Sequence, residues 1–242
     1  MKDINHNRSF FSKKTKEPLL NVPLIILVLI VFCFCIYFIP QHCFSHEFYI
    51  ESLRYFSFIP VLFRAEPLTF FYTILSYSFM HSSFQHVAIN MAWLLVFGSP
   101  LVKHLGVLRF LIFWIVTAII AVLTYFVFHQ DSAVPLVGAS GVVSGMMGAI
   151  ARYGFPPVVG IGTQNKEFLS PLLSIKKALR TGNVLIFMGV WLGVDVIMGV
   201  YSFLLVGEGV SIAWEAHIGG FCSGFLLIGF FDISRQKINI MV

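Results

Sequence analysis

The amino-acid sequence predicts an all-α polytopic membrane protein, a bundle of six transmembrane helices, and three observations carry that reading. The 242 residues are 58% hydrophobic and only 11% charged, with a mean hydropathy of +0.88, whereas a soluble fold of this length needs a fuller charged shell. Apolar runs of about 20 residues recur with few charges inside them, each long enough to cross roughly 30 Å of hydrocarbon. Of the 16 Lys and Arg, 14 fall on one side of a six-span topology and only Arg54 and Arg64 on the other, a strong positive-inside bias.

Taken in order, the expected spans are Leu20 to Ile39, Phe79 to Gly98, Leu105 to Phe128, Gly138 to Phe155, Val184 to Val206 and Val210 to Phe231. Residues 1–19 form a basic tail, 20–232 the membrane domain and 233–242 a second short tail. The first apolar run lacks a small-residue cleavage site and is longer than a signal-peptide core, so it reads as a retained helix. The segment from Gln41 to Leu68 is apolar and aromatic but interrupted by Pro60, Arg64, Glu66 and Pro67, so it is expected to lie at the interface. An even number of spans places both tails in the cytoplasm, where Lys13, Lys14 and Lys16 can meet anionic lipid. The basic pI near 9.1 is thus a topology signal, and nucleic acid is not implied as a partner. Cys33, Cys35, Cys43 and Cys222 show no metal-ligand spacing and imply no disulfide framework.

Polar groups inside apolar spans are expensive, so each one present calls for a function or a structural partner. The set is short: His81, His86, Asn90, Ser140, Asp195, Glu215 and His217. Gly138-Ala139-Ser140-Gly141 opens the fourth span; alone the match is weak, since Gly141, Ser144, Gly145 and Gly148 also make a small-residue stripe suited to close helix packing. Other residues converge on it. The second, fourth and sixth spans run in the same direction and place His86, Ser140 and His217 near the outer ends of three helices. The fourth span, about 18 residues and about 27 Å long before Pro156-Pro157, would set Ser140 below the surface in a wet pocket.

A serine hydroxyl needs a base to become a nucleophile, and a neutral imidazole suits that task. Gly220-xxx-Gly224 offers a groove through which the helix of His217 approaches another backbone. His86 and Asn90 share one helical face and both can donate, as can the Ser140 N–H, which together would serve a developing oxyanion. An interhelical polar clamp is the structural alternative for that pair. No acid is placed convincingly to orient His217: Asp195 lies mid-span in the fifth helix, at an expected different depth, and Glu215 sits two residues away on the same helix. A third triad member is therefore not assigned, and Asp195 is expected to hydrogen-bond within the bundle.

These residues resemble the rhomboid family of intramembrane serine proteases. Three motifs stand in the family's order, His81-Ser82-Ser83-Phe84-Gln85-His86-Val87-Ala88-Ile89-Asn90, Gly138-Ala139-Ser140-Gly141 and Ala216-His217-Ile218-Gly219-Gly220-Phe221-Cys222-Ser223-Gly224, over most of the chain after Phe70. The resemblance implies a six-helix core, a Ser140–His217 dyad, an oxyanion site from His86, Asn90 and the Ser140 amide, and close packing at Gly138, Gly141, Gly220 and Gly224. It implies neither metal nor cofactor, transmembrane proteins as substrates cleaved near the outer face, and a location such as a bacterial inner membrane. Three positions depart from the family pattern: Tyr72-Thr73 replaces a frequent Trp-Arg pair, Val102 an acidic residue, and Ser144 an aromatic that can pack on the catalytic imidazole. The competing expectations are a silent rhomboid-like client-binding protein, which would not require the whole polar set, and a transporter, which would require more charges along its path. A zincin site fails because Ile50 stands where the second His of HExxH would be. An aspartyl dyad fails for want of a second embedded carboxylate.

Overall fold

The computed structural model describes residues 21–154, 169, 171–205 and 213–232, with side chains left aside at 202–205. Apart from one isolated antiparallel bridge between Phe58 and Leu136, its regular structure is helical. The helices are α1 (Leu24–Cys43), α2 (His46–Phe56), α3 (Pro60–Ala65), α4 (Pro67–Phe70), α5 (Thr73–Ser76), α6 (Phe84–Trp93), α7 (Ser99–Leu105), α8 (Val107–Phe128), α9 (Ser140–Ala151), α10 (Ile175–Ala178), α11 (Gly182–Leu205) and α12 (Trp214–Phe231). A wider π turn at Leu94–Gly98 joins α6 to α7, so that Phe84–Leu105 is one continuous span.

Among the described residues five helices are long and apolar enough to cross a membrane, at Leu24–Cys43, Phe84–Leu105, Val107–Phe128, Gly182–Tyr201 and Trp214–Phe231, and Ser140–Ala151 is a shorter apolar helix. The expected fourth span is therefore corrected. Its helix has 12 residues, about 18 Å of rise, and stops well before Phe155. The reason lies at Arg152, which turns out of the helix and is buried, its guanidinium donating to the carbonyls of Leu173 and Phe225. The second span starts later than expected because Ser83 caps α6, its hydroxyl accepting from the His86 N–H at 3.1 Å. The outer end of the fifth expected span, the start of the sixth, Phe155 with Pro156-Pro157, and both tails lie outside the described residues.

The short helix α9 is the centre of the bundle, buried at ten of its twelve positions, and α8, α12 and the second span surround it. Glycines set its distance from α12. A Cβ built on Gly220 would fall on the Gly141 carbonyl, one on Gly224 on the Gly145 carbonyl, and one on Gly148 on the Phe221 carbonyl, so the two backbones touch along two helical turns. Such contact in a membrane replaces the missing hydrophobic drive with dispersion. On the other side of α12, α11 packs through Val184 together with Phe187 and Trp191 against Phe221 and Phe225, while Ile186, Val190, Val194 and Ile197 stay exposed on the bundle's surface.

The interrupted segment after α1 folds as α2 to α4 and does not cross. It is pinned to the loop that leads into α9. Phe58 and Leu136 exchange backbone hydrogen bonds, the Val61 N–H donates to the Ser132 carbonyl, and Arg64 pairs with Asp131.

Candidate active site

Ser140 is the first residue of α9, where the backbone N–H groups have no partner within the helix and the helix dipole is positive. The turn ahead of it is unusual. Gly138 has φ of +120°, a conformation that side chains resist, and a Cβ there would also lie 2.7 Å from the imidazole of His86. Glycine thus lets His86 reach over the turn ahead of Ser140. The turn is tied down from below by the Gly138 N–H donating to the Tyr77 carbonyl at 3.0 Å. Tyr77 is itself fixed by its hydroxyl donating to the Ala118 carbonyl at 2.8 Å.

His217 stands one turn into α12, and its Nε2 is 2.8 Å from the Ser140 hydroxyl oxygen. The two residues, 77 positions apart, meet because the glycine seam leaves α9 and α12 no side-chain thickness between them. On the opposite edge of the ring, Nδ1 lies 2.5 Å from Asp195 Oδ1. This corrects the expectation that Asp195 sits at another depth. The helix α11 overshoots the start of α12: Gly199 is packed against Trp214, the first residue of α12, and α11 continues six residues further to Leu205, about 9 Å. A mid-span position on α11 is therefore level with the first turn of α12. Glu215 points elsewhere and meets His129 Nε2 at 2.9 Å, joining the ends of α8 and α12.

His86 is held by Ser82, whose hydroxyl is 3.1 Å from its Nδ1. Asn90 is buried, and its amide nitrogen donates to the His86 carbonyl at 3.0 Å, which occupies one of its two N–H bonds. His81, present in the sequence but given no role there, brackets the same turn: its Nδ1 is 3.2 Å from the Phe79 carbonyl, and its Nε2 is 3.5 Å from the Ala139 N–H. Its ring lies edge-on to His86, with centroids 5.1 Å apart. Ser144 is buried on α9 and Val102 is buried within α7, in a helix and not in a loop.

The fold and this arrangement define a multi-pass integral membrane protein that sets a half-buried serine against a half-buried histidine at the end of a short central helix. The chain belongs to the rhomboid family: residues 69–234, well over half of it, match the family model described as "Rhomboid domain". It is 30% identical over 158 residues to a "Rhomboid protease GlpG" of Klebsiella pneumoniae subsp. pneumoniae, covering 65% of this chain and 47% of that protein. A GlpG of Yersinia pestis is 31% identical over 158 residues, covering 65% and 46%. "RHOMBOID-like protein 4" of Arabidopsis thaliana is 26% identical over 154 residues, covering 64% and 32%. The match thus spans half or less of the length of these curated relatives.

Proposed function

We propose that this protein is an intramembrane serine endopeptidase that cleaves transmembrane substrates with Ser140 as nucleophile and His217 as general base. The observation that carries the reading is the 2.8 Å approach of His217 Nε2 to the Ser140 hydroxyl at the N-terminus of a buried helix. The hydroxyl oxygen attacks the scissile carbonyl carbon while its proton passes to Nε2. The tetrahedral oxyanion forms beside the free N–H groups of the first turn of α9, with the His86 imidazole over the turn and Asn90 one helical turn further along α6. Nε2 then returns the proton to the leaving amine, and water attacking the acyl-serine by the same path restores the enzyme.

Two further points support the reading. Transmembrane proteins are the substrates that membership of the rhomboid family implies, and Ser140 and His217 are only half-buried, near the ends of their helices. Lys103, Arg109, Arg152, Lys176, Lys177 and Arg180 gather toward the opposite end of the bundle from Arg54 and Arg64, which favours a cytoplasmic face opposite the site. An inner, or plasma, membrane of a bacterium fits that orientation.

The test is labelling of the detergent-solubilised protein with a fluorophosphonate, comparing wild type with Ser140→Ala and His217→Ala. Both variants are expected to lose labelling at unchanged thermal stability, and Asn90→Ala to retain a residual rate about 10²-fold lower. A folded wild type that takes up no probe would overturn the protease reading in favour of a silent client-binding protein.

A further inference from the structure

We infer that Asp195 is a positioning residue for His217, holding the imidazole through Nδ1 so that Nε2 is presented to Ser140 as the proton acceptor. The inference rests on the serine protease reading above.

Both ring nitrogens of His217 are engaged, Nδ1 by Asp195 Oδ1 at 2.5 Å and Nε2 by Ser140 Oγ at 2.8 Å. An ionised carboxylate only accepts hydrogen bonds, so the nitrogen facing it carries the proton and the other nitrogen is left with a lone pair. That lone pair is what a serine proton needs. The opposite tautomer would set two acceptors face to face across 2.5 Å and turn an N–H toward the hydroxyl, which would leave Ser140 without a base.

The other histidine–carboxylate pairs among the described residues have a different form. His129 Nε2 meets Glu215 at 2.9 Å and its ring stacks on Tyr125 with centroids 4.3 Å apart. His104 Nε2 meets Asp232 at 3.2 Å, where the Tyr153 hydroxyl also donates to the same carboxylate. Those pairs tie helix ends together. The pair at Asp195 instead acts on a ring whose far edge touches a serine.

The cost of Asp195 points the same way. Its side chain is 8% exposed on a helix that is otherwise apolar around it, and its Oδ2 is buried with no hydrogen-bond partner among the described residues. A carboxyl group kept in a membrane helix with one oxygen unpaired is destabilising, and such groups persist where they serve a site. In the serine protease triad, Asp to Asn keeps the geometry and lowers kcat about 10⁴-fold through the wrong tautomer. A merely structural partner would be replaced by the isosteric amide at little loss.

The experiment uses the full-length protein in nanodiscs and reads two quantities. The first is the rate of fluorophosphonate labelling of wild type, Asp195→Asn and Ser140→Ala. The second is the 15N signature of His217 in imidazole-labelled protein, assigned by its disappearance in His217→Gln. The expected result is a protonated Nδ1 and unprotonated Nε2 in wild type, with Asp195→Asn folded, slowed more than tenfold and altered in tautomer. A slowing of less than tenfold, or a tautomer that does not move, overturns the positioning role. Should Asp195→Asn fail to fold, wild type decides alone, since an Nε2-protonated His217 overturns the inference and an Nδ1-protonated one upholds it. Wild type that labels no better than Ser140→Ala fails at the earlier step, and the protease reading falls together with the role of Asp195.

Discussion

The two seams that hold α12 are built by opposite means. Against α9 it packs backbone to backbone, through Gly141, Gly145 and Gly148 on one side and Gly220 and Gly224 on the other. Against α11 it packs through side chains, with Trp191 stacked on Phe221 at 4.5 Å and Asp195 on His217. A glycine seam has no rotamers and hence one separation, which suits the Ser140–His217 distance. An aromatic seam can slide and repack within its rotamers. The Ser140–His217 pair is thus carried by the stiffer joint, and the Asp195 carboxylate that meets His217 by the softer one.

That contrast can be broken or sharpened in four ways. Gly220→Val should have the largest effect, because branched carbons would be driven into the Gly141 carbonyl; loss of both the cooperative melt and all labelling is expected. Gly148→Ala drives one carbon onto the Phe221 backbone carbonyl at the far end of the same seam, and an unfolding titration in mixed micelles should show a loss of about 3 kcal/mol or more, at the upper end of overpacking costs. Activity there should fall in step with stability, since Ser140 lies two turns away. Trp191→Ala opens the softer seam. Its stability cost should be about 1–2 kcal/mol, less than for a fully buried aromatic, yet labelling should slow further than the folded fraction explains. Trp191→Phe should be the mildest, within about 1 kcal/mol of wild type and with a near-normal labelling rate; a large loss would show that the α11 seam is as rigid as the other.

The sequence made the Ser140–His217 pair legible because both are polar groups in apolar runs, each beside a glycine pattern suited to close approach. His86 and Asn90 were legible through their four-residue spacing, although the committed hydrogen bond from Asn90 to the His86 carbonyl could not be read from spacing. Two features were hidden. The end of α9 at Ala151 depends on where the Arg152 guanidinium finds acceptors, and those are the distant carbonyls of Leu173 and Phe225. The partnership of Asp195 with His217 depends on how far α11 overshoots α12. Counting residues along each helix gives depth only if the helices start level, and the Gly199–Trp214 contact shows that these do not. His81 was visible as a polar residue, but its acceptor role toward the Ala139 N–H needs the turn at Gly138 to be known.

The glycine seam also has a temporal side. It unites residues 141–148 with 220–224, so Ser140 and His217 belong to parts of the chain made at different times. On the proposed mechanism, until α12 closes on α9 the Ser140 hydroxyl lacks the His217 imidazole that meets it in the folded chain. On that mechanism the order of synthesis would act as a safety catch, arming the serine only after the surrounding wall of helices is in place.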